Sequence, residues 1–370
     1  MKILLLTTHL NIGGIGFYTV NLAKYLKRRN IDVIVVSSGG DLKEMLNRER
    51  ILHIETDIRT KFEFSFKMLK AVPVLVKLIR KEKIDIIHAQ TRVTQVLAWI
   101  ISKITRVIFL STCHGFFKSR RFSRRILPCW GDKIIAISAS VKEHLSKDFL
   151  VSENRIELIR NGIDVSRFEK INSDKKHDFI RTCNWPENTL IIGSVGRLSS
   201  VKGFNYLIEA FRIANLKDKR LKLLIVGEGR QEPVLKEQIK AAGLAGEAVF
   251  VSGRDSLDYY LSVIDIFCLM SISEGLGLSL MEAMAAGKSC IASRVGGLAE
   301  LIDDGKDGIL VESKNAEQLS AAISCLANDN DLRELLSKNA RQKAAENFSI
   351  EDNVSRTIEV YEKMTNDKCI

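Results

Sequence analysis

Two glutamates in the second half of the sequence have the spacing and neighbours of a ligand-binding pair. Glu274 and Glu282 stand eight positions apart, and the turn from Gly275 to Gly277 leads into a run of good helix formers that starts at Leu278. Glycine lets a ligand approach backbone N–H groups, and a helix N-terminus offers unpaired N–H donors with a partial positive charge. At 1.5 Å per helical residue the carboxylates would be roughly 12 Å apart along the axis. The segment therefore predicts a diphosphate site bracketed by two hydroxyl-binding carboxylates, with a helix cap at Glu274 and a solvated Glu282 as the alternative.

Two cations upstream of this segment could neutralise such a diphosphate. Arg197 directly follows a predicted strand, and Lys202 comes five residues later, close to the next predicted helix. A guanidinium and an ammonium at these positions would stabilise the negative charge on a departing diphosphate. Exposed, solvated cations would be the better interpretation of an isolated pair, but the position at a strand end favours the diphosphate site.

Further candidates lie at strand ends in the first half of the chain. Gly14 and Gly16 belong to a loop between the first predicted strand and helix, which is typical of close phosphate approach and also of a tight turn. The loop lacks the full glycine fingerprint of dinucleotide-binding enzymes, so a nicotinamide-dependent enzyme is only a minor alternative. His114 ends the fourth predicted strand and precedes a glycine, a position that favours a ligand site over the structural role of most single histidines.

The elements that must position these residues alternate between short apolar runs and amphipathic stretches. This pattern predicts an α/β protein with parallel sheets covered by helices on both faces. Because ligands of such sheets bind beyond the carboxyl ends of the strands, the candidate residues fall where a site is expected. The predicted strands of the first half are 2–7, 32–37, 84–88, 107–112, 133–137 and 156–159. Those of the second half are 190–195, 222–226, 248–251, 264–269, 289–292 and 308–311.

Five short motifs follow one another along the chain in a fixed order. They are Gly13-Gly14, Asn161-Gly162-Ile163-Asp164, Gly196-Arg197 with Lys202-Gly203, Val226-Gly227-Glu228-Gly229, and the segment from Ser273 to Gly287. In order and spacing they resemble glycosyltransferase family 4, and the resemblance covers nearly the whole chain. It implies the GT-B fold, in which two Rossmann-like domains face a central cleft.

The domain boundaries expected from this resemblance and from the strand pattern divide the chain in four. Residues 1–165 would form an acceptor-binding domain, and residues 188–349 a sugar-nucleotide-binding domain. Residues 166–187 lose periodicity and end at Trp185-Pro186, which predicts a linker. The last helix, within about 350–370, would cross back and pack on the first domain.

The resemblance also implies a reaction and a role for each candidate. A hexose would pass from a UDP- or GDP-sugar to a glycan or lipid-linked acceptor with retained anomeric configuration, and neither a metal nor another cofactor would be needed. Glu274 would orient the sugar, His114 would stabilise charge near the anomeric carbon, and Arg197 and Lys202 would support the departing diphosphate. Glu282 would bind the ribose. The remaining donor contacts would be at Gly14, Gly16, Gly275, Leu276, Gly277, Leu278 and Arg254.

Positive charge is concentrated in the first half of the chain. The whole sequence has a net charge of +11, whereas residues 1–165 carry 29 Lys and Arg against 15 Asp and Glu, a net charge of +14. The densest cluster runs from Lys118 to Arg125, and the segment from Lys61 to Lys81 combines six cations with three phenylalanines. Such segments suit an anionic membrane surface, with a solvated basic face as the alternative. No nucleic-acid-binding module is recognisable, so a nucleic-acid partner is not expected.

Composition limits the cellular context and leaves rival functions open. The seven cysteines form no Cys-x-x-Cys pair, and no apolar run is long enough for a signal peptide or a membrane span. We therefore expect a cytoplasmic protein. The family resemblance and the basic segments together imply that it acts at the inner face of the cytoplasmic membrane, in cell-envelope polysaccharide or lipopolysaccharide synthesis. Alternatives are a sugar-nucleotide epimerase of the same fold, a synthase acting on a small sugar phosphate, and an inactive membrane-surface scaffold.

Overall fold

The chain divides into two compact units. The first comprises Met1–Gly162 together with Ile350–Ile370, and the second comprises Ile163–Ser349. The structure is a computed structural model that describes residues 1–60, 62–117, 128–168, 174–252 and 257–367. Across these residues, no helix combines the length and hydrophobicity that a membrane-spanning helix needs.

The first unit is built on a seven-stranded parallel sheet with the order β3-β2-β1-β4-β5-β6-β7. Its strands are β1 Lys2–Leu6, β2 Asp32–Ser37, β3 Leu52–Glu55, β4 Ile86–Ala89, β5 Ile108–Cys113, β6 Lys133–Ala136 and β7 Ile156–Leu158. The strand order reverses between β1 and β4, which pair side by side. Such a switch point opens a crevice beyond the carboxyl ends of the two strands, where ligands of doubly wound sheets bind.

Helices cover both faces of this sheet. They are α1 Gly14–Arg28, α2 Lys43–Arg48, α3 Phe66–Glu82, α4 Arg92–Thr105, α5 Ala139–Phe149 and the C-terminal helix Ile350–Asn366. Ile3 and Leu5 of β1 belong to an apolar cluster with Tyr361 of the C-terminal helix, whereas Leu4 and Leu6 belong to a separate cluster with α3 and α4. Alternate residues of one strand are thus buried on opposite faces.

The second unit has a six-stranded parallel sheet with the order β10-β9-β8-β11-β12-β13. Its strands are β8 Leu190–Val195, β9 Leu221–Val226, β10 Ala248–Val251, β11 Ile266–Leu269, β12 Ser289–Ser293 and β13 Ile309–Val311. Its helices are α6 Asp174–Thr182, α7 Phe204–Lys217, α8 Glu232–Ala241, α9 Leu257–Val263, α10 Leu278–Ala285, α11 Leu298–Leu301, α12 Ala316–Asn328 and α13 Asn330–Asn347. The switch point lies between β8 and β11, the strands that precede Arg197 and Glu274.

The strands predicted from apolar runs are all present, with ends that differ by up to two residues. The structure adds β3, an edge strand whose four residues are half-buried or exposed and so lack an apolar run. It also differs from the prediction of a linker over 166–187, because this segment contains α6 within the second unit. Phe179 and Ile180 of α6 are buried, and the Trp185 indole N–H donates to the Gly246 carbonyl at 3.0 Å. Because most residues of α6 are polar, its short apolar face produces no clear periodic pattern in the sequence.

Candidate functional site

The Glu274 carboxylate, in the loop after β11, is held by two donors. Its Oε2 accepts hydrogen bonds from Lys202 Nζ at 2.5 Å and from Ser271 Oγ at 2.9 Å. The side chains of Lys202 and Glu274 are only 20% and 17% exposed, so their ion pair is shielded from water. Both bonds end on one oxygen, and Oε1 receives no hydrogen bond from the described residues. The carboxylate therefore has a fixed orientation and one oxygen ready for a hydroxyl group.

The loop that carries Glu274 is itself anchored to the next strand and helix. Ser271 is fully buried, and its carbonyl accepts a hydrogen bond from Ser293 Oγ at 2.6 Å. The Gly297 N–H donates to the Glu274 carbonyl at 3.1 Å. A Cβ at Gly297 would lie 2.3 Å from the Gly275 carbonyl oxygen, so only glycine permits this approach. Little local movement is therefore needed to prepare Glu274 for a ligand.

Lys202 reaches Glu274 because the loops that carry them pack backbone against backbone. Gly203 follows Lys202 with a φ of 64°, in the left-handed region that favours glycine. A Cβ at Gly203 would lie 1.9 Å from the Met270 carbonyl oxygen. Two segments 72 residues apart in sequence are thus brought together at the carboxyl edge of the sheet.

The N-terminus of α10 is open to a ligand. Gly277 precedes it with a φ of 100° and cannot provide a side-chain cap. The N–H groups of Leu278 and Ser279 make no hydrogen bond within the part of the chain that the structure describes. Unpaired N–H groups at the start of a helix bind anions, because the helix dipole adds to their partial positive charge. Gly275 and Leu276, which complete the turn, are buried.

Arg197 stands apart from the ion pair. It is exposed, and its guanidinium has no partner among the described residues. The stem of Lys202 passes beside the preceding residue, since a Cβ at Gly196 would lie 3.7 Å from Lys202 Cε. With respect to the described residues, Arg197 is thus unpaired and Lys202 is paired.

Glu282 lies in α10 and is partly buried. Burial raises the pKa of its carboxyl to about 7, the positive charge of Arg167 opposes this increase, and the negative charge of Asp258 adds to it. Arg167 in turn forms an ion pair with Asp258 at 3.0 Å. Glu282 therefore changes its charge within the neutral range, unlike an ordinary exposed glutamate.

His114 of the first unit follows β5. Its Nε2 is 2.9 Å from Oε1 of Gln90, and its ring meets the Tyr18 ring edge-on at 5.0 Å between centroids. Burial lowers the pKa of His114 to about 3, so the imidazole is neutral at physiological pH. A neutral imidazole offers one N–H donor and one acceptor to its surroundings.

The two candidate glycines of the first unit are in different environments. Gly14 is exposed at the start of α1, which is compatible with ligand approach. Gly16 is buried, and a Cβ there would lie 2.5 Å from the Asn11 carbonyl oxygen. Its backbone is therefore packed against its own loop, as the tight-turn interpretation predicts. Arg254, the cluster from Lys118 to Arg125, and Lys61 lie outside the described residues.

Models of known protein families match both halves of the chain. Residues 12–167 match the model of "Glycosyltransferase Family 4", and residues 175–343 match that of "Glycosyl transferases group 1". The two matches together span most of the chain. The chain belongs to the group 1, family 4 glycosyltransferases.

Relatives of this glycosyltransferase share its length and fold. It is 28% identical over 345 residues to the capsular polysaccharide biosynthesis glycosyltransferase CapM of Staphylococcus aureus, covering 88% of each chain. It is 29% identical over 318 residues to UDP-Gal:alpha-D-GlcNAc-diphosphoundecaprenol alpha-1,3-galactosyltransferase of Escherichia coli, covering 82% of this chain and 81% of the relative. Anabaena HepE, solved with UDP and glucose, superposes with a TM-score of 0.87 at 22% identity and covers 98% and 100% of the two chains. The expected GT-B fold and the family are confirmed, and the chain is a glycosyltransferase.

Several residues that shape the site of this glycosyltransferase carry no clear sequence signal. Ser271 and Ser293 support Glu274, Gln90 contacts His114, and Arg167 and Asp258 surround Glu282. Serine and glutamine are common residues, and only the Ser271-x-x-Glu274 spacing could have singled one out. Among the described residues, no group of three His, Cys, Asp or Glu side chains is arranged to hold a metal ion.

Proposed function

We propose that this enzyme transfers a hexose from a UDP- or GDP-sugar to a glycan or lipid-linked acceptor, with retained anomeric configuration, in cell-envelope polysaccharide or lipopolysaccharide synthesis. The observation that carries the proposal is the Glu274 carboxylate, fixed by Lys202 and Ser271 beside the open N-terminus of α10. The enzyme's similarity to a capsular polysaccharide glycosyltransferase and to a UDP-Gal:alpha-D-GlcNAc-diphosphoundecaprenol galactosyltransferase favours UDP-galactose or a similar donor and a polysaccharide or diphosphoundecaprenol-linked product. The site thus combines a sugar-orienting carboxylate with an anion site.

Departure of the diphosphate is the step that the charges of the site assist. The bond between the anomeric carbon and the diphosphate oxygen breaks, and the acceptor oxygen bonds to the same face of the sugar. The acceptor proton passes to the departing diphosphate. Lys202, the exposed Arg197 and the free N–H groups of Leu278 and Ser279 would stabilise the negative charge that develops on this leaving group.

The two glutamates would position the donor at either side of its diphosphate. Glu274 would accept hydrogen bonds from sugar hydroxyls through Oε1, the oxygen that no described residue uses. Glu282 would accept hydrogen bonds from the ribose hydroxyls in its ionised form. His114 would contact the transferred sugar, and Gly14 would allow its close approach.

A test of the donor site compares UDP- and GDP-sugars by calorimetry. We expect one nucleotide series to bind, and the double variant Arg197→Ala with Lys202→Ala to bind it about 10²-fold more weakly, because two charged hydrogen bonds to the diphosphate are lost. The matched control is Lys217→Ala with Lys240→Ala, which removes the same charge from exposed ends of α7 and α8. Failure of every sugar nucleotide to bind, or equal binding by both double variants, would contradict the proposal. Product formation that requires an acceptor would exclude an epimerase, and preference for a sugar phosphate would favour the synthase.

Membrane contact would come from a row of phenylalanines at the start of α3. Phe62, Phe64 and Phe66 are 76%, 54% and 71% exposed, whereas the intervening Glu63 and Ser65 are half-buried. Exposed phenylalanines thus alternate with half-buried residues, and all three rings are accessible to solvent. The described cations that follow in α3 are Lys67, Lys70, Lys77, Arg80 and Lys81. Aromatic rings next to basic residues suit the interface of an anionic bilayer.

An ion pair holds this phenylalanine row in place. Arg92 Nε lies 3.3 Å from Glu63 Oε2, and the two side chains are 6% and 12% exposed. The Arg92 guanidinium also donates to the Pro128 carbonyl and lies over the Trp130 ring. The rings are therefore presented by an anchored segment, which reduces the ordering cost of insertion.

Vesicle binding tests this surface. We expect Phe62→Ser, Phe64→Ser and Phe66→Ser together to weaken binding to phosphatidylglycerol vesicles at low salt by at least about tenfold, because the buried apolar area is lost. The control Leu216→Ser, Val234→Ser and Leu335→Ser removes three exposed apolar side chains of the second unit and should leave binding unchanged. Sedimentation with vesicles measures both. Equal effects of the two triple variants would count against the phenylalanine row.

A further inference from the structure

Gln90 is placed to control the candidate residue His114. It follows β4, is 1% exposed, and its backbone N–H donates to the Leu6 carbonyl of β1 at 2.9 Å. It therefore stands at the switch point of the first sheet with a fixed backbone. Its side-chain Oε1 lies 2.9 Å from His114 Nε2. Among the described residues, Gln90 is the one hydrogen-bond partner of this imidazole.

The hydrogen bond determines which nitrogen of His114 carries the proton. An amide oxygen can only accept, so His114 Nε2 must donate. A neutral imidazole has a single N–H, and Nδ1 is then left as an acceptor. Nδ1 has no hydrogen-bond partner in the described part of the chain. It can accept a hydrogen bond from a hydroxyl of a bound sugar or acceptor.

Two other polar groups near His114 differ in their hydrogen bonding. His88 is fully buried, but its two ring nitrogens bond to Thr112 Oγ1 at 2.7 Å and to the Tyr361 hydroxyl at 2.6 Å. The amide nitrogen of Gln90 is buried with no hydrogen-bond partner among the described residues. A hydrogen bond from this nitrogen to a ligand would remove the cost of burying it unpaired.

We propose that Gln90 is a positioning residue that holds His114 as its Nε2–H tautomer, so that Nδ1 accepts a hydrogen bond from a ligand hydroxyl. The proposal rests on the proposed function, because it assumes that His114 contacts the reacting sugar or acceptor. The amide nitrogen of Gln90 would gain its missing partner from the same ligand.

Three variants separate this role from simple support of the fold. Gln90→Leu removes the acceptor and should lower kcat by about tenfold, the effect of one lost hydrogen bond at the reacting centre. Gln95→Leu is the matched control, because Gln95 is equally buried in α4 but its amide donates to the Thr112 carbonyl and not to His114. The kcat of this variant should stay within about twofold of wild type. Gln90→Glu keeps an acceptor for Nε2–H but adds a negative charge.

The pH profile of Gln90→Glu gives a sharper result. The carboxylate would raise the pKa of His114, so that protonation blocks Nδ1 below neutral pH and activity returns as the pH rises. In wild type we expect no such loss of activity at low pH from His114 and its neighbours. Burial lowers the pKa of His114 and His88 to about 3 and raises that of Tyr18 to about 12. A profile of Gln90→Glu that parallels wild type would overturn the proposal.

Nitrogen-15 NMR of histidine-labelled enzyme reads the tautomer directly, with His114→Ala to assign the signal. We expect a protonated Nε2 and an unprotonated Nδ1 in wild type, and a mixture of tautomers in Gln90→Leu. A protonated Nδ1 in wild type, or equal kcat for Gln90→Leu and Gln95→Leu, would overturn the proposal. Full activity of His114→Ala would instead refute the role given to His114 in the proposed function, while the tautomer measurement would still report on Gln90.

Discussion

Replacing Glu274 by Gln should lower the transfer rate by about 10²- to 10³-fold without loss of nucleotide binding. The substitution keeps an acceptor for Ser271 but removes the charge that orients the sugar and pairs with Lys202. The released Lys202 ammonium can then interact fully with a diphosphate, and repulsion from the carboxylate is gone. Free nucleoside diphosphate should therefore bind as tightly as in wild type or more tightly.

Initial rates and calorimetric titration with the nucleoside diphosphate measure the two effects separately. Glu237→Gln, an exposed carboxylate on α8, is the control for loss of one negative charge from the second unit. A misfolded site would weaken nucleotide binding and transfer together, so parallel losses would refute this role of Glu274. An additional Lys202→Met change should cost less than it does in wild type, because the two side chains share one bond.

Donor binding should depend on pH through Glu282. Burial raises its pKa from 4.5 to about 7, and the ionised carboxylate is the form that accepts hydrogen bonds from ribose hydroxyls. A ligand that binds only the ionised form should bind roughly tenfold more weakly at about pH 6 than at about pH 8. Calorimetry with a nucleoside-diphosphate sugar should also detect proton release on binding near neutral pH.

Two variants test the assignment to Glu282. Glu282→Gln should bind the donor weakly with no pH dependence in this range. Arg167→Met should move the pH dependence upward, since the charge of Arg167 lowers the pKa of Glu282. A wild-type affinity that stays constant from about pH 6 to about pH 8 would contradict the prediction.

The same ionisation affects the stability of the fold. The folded protein retains the Glu282 proton over a range in which the unfolded chain has lost it, so stability falls as the pH rises from 4.5 to about 7. Glu282→Gln should lack this part of the decrease. Denaturant unfolding of both proteins at several pH values measures the difference.

The fold was predictable because parallel α/β sheets produce a clear pattern of apolar runs in the sequence. Buried strands such as β11, Ile266–Leu269, are continuous apolar runs, and the motifs follow these strands directly. The rule that ligands bind at the carboxyl ends of parallel strands then placed Arg197 and Glu274 near one switch point. The edge strand β3 and helix α6 were not predicted, because neither has an uninterrupted apolar pattern.

The details of the site depend on contacts that sequence spacing does not encode. Nothing in the sequence shows that Lys202 pairs with Glu274 while Arg197 stays free, since this follows from the close approach at Gly203. The raised pKa of Glu282 likewise comes from burial, with a smaller contribution from Asp258 and an opposing one from Arg167. Local sequence provided the candidate residues, and the tertiary fold determined their charge and pairing.

The C-terminal helix has a consequence for the order of biosynthesis. It supplies Tyr361 to buried His88, and Asn353 donates to the Arg160 carbonyl at 2.6 Å, so residues from both ends of the chain complete one core. Domains usually fold in the order in which they leave the ribosome. Here residues 163–349 form a continuous segment that can close its core first, whereas the first 162 residues must wait for the last helix to be translated. A chain that ends before residue 350 would contain all residues of the second unit but would lack the last helix of the first.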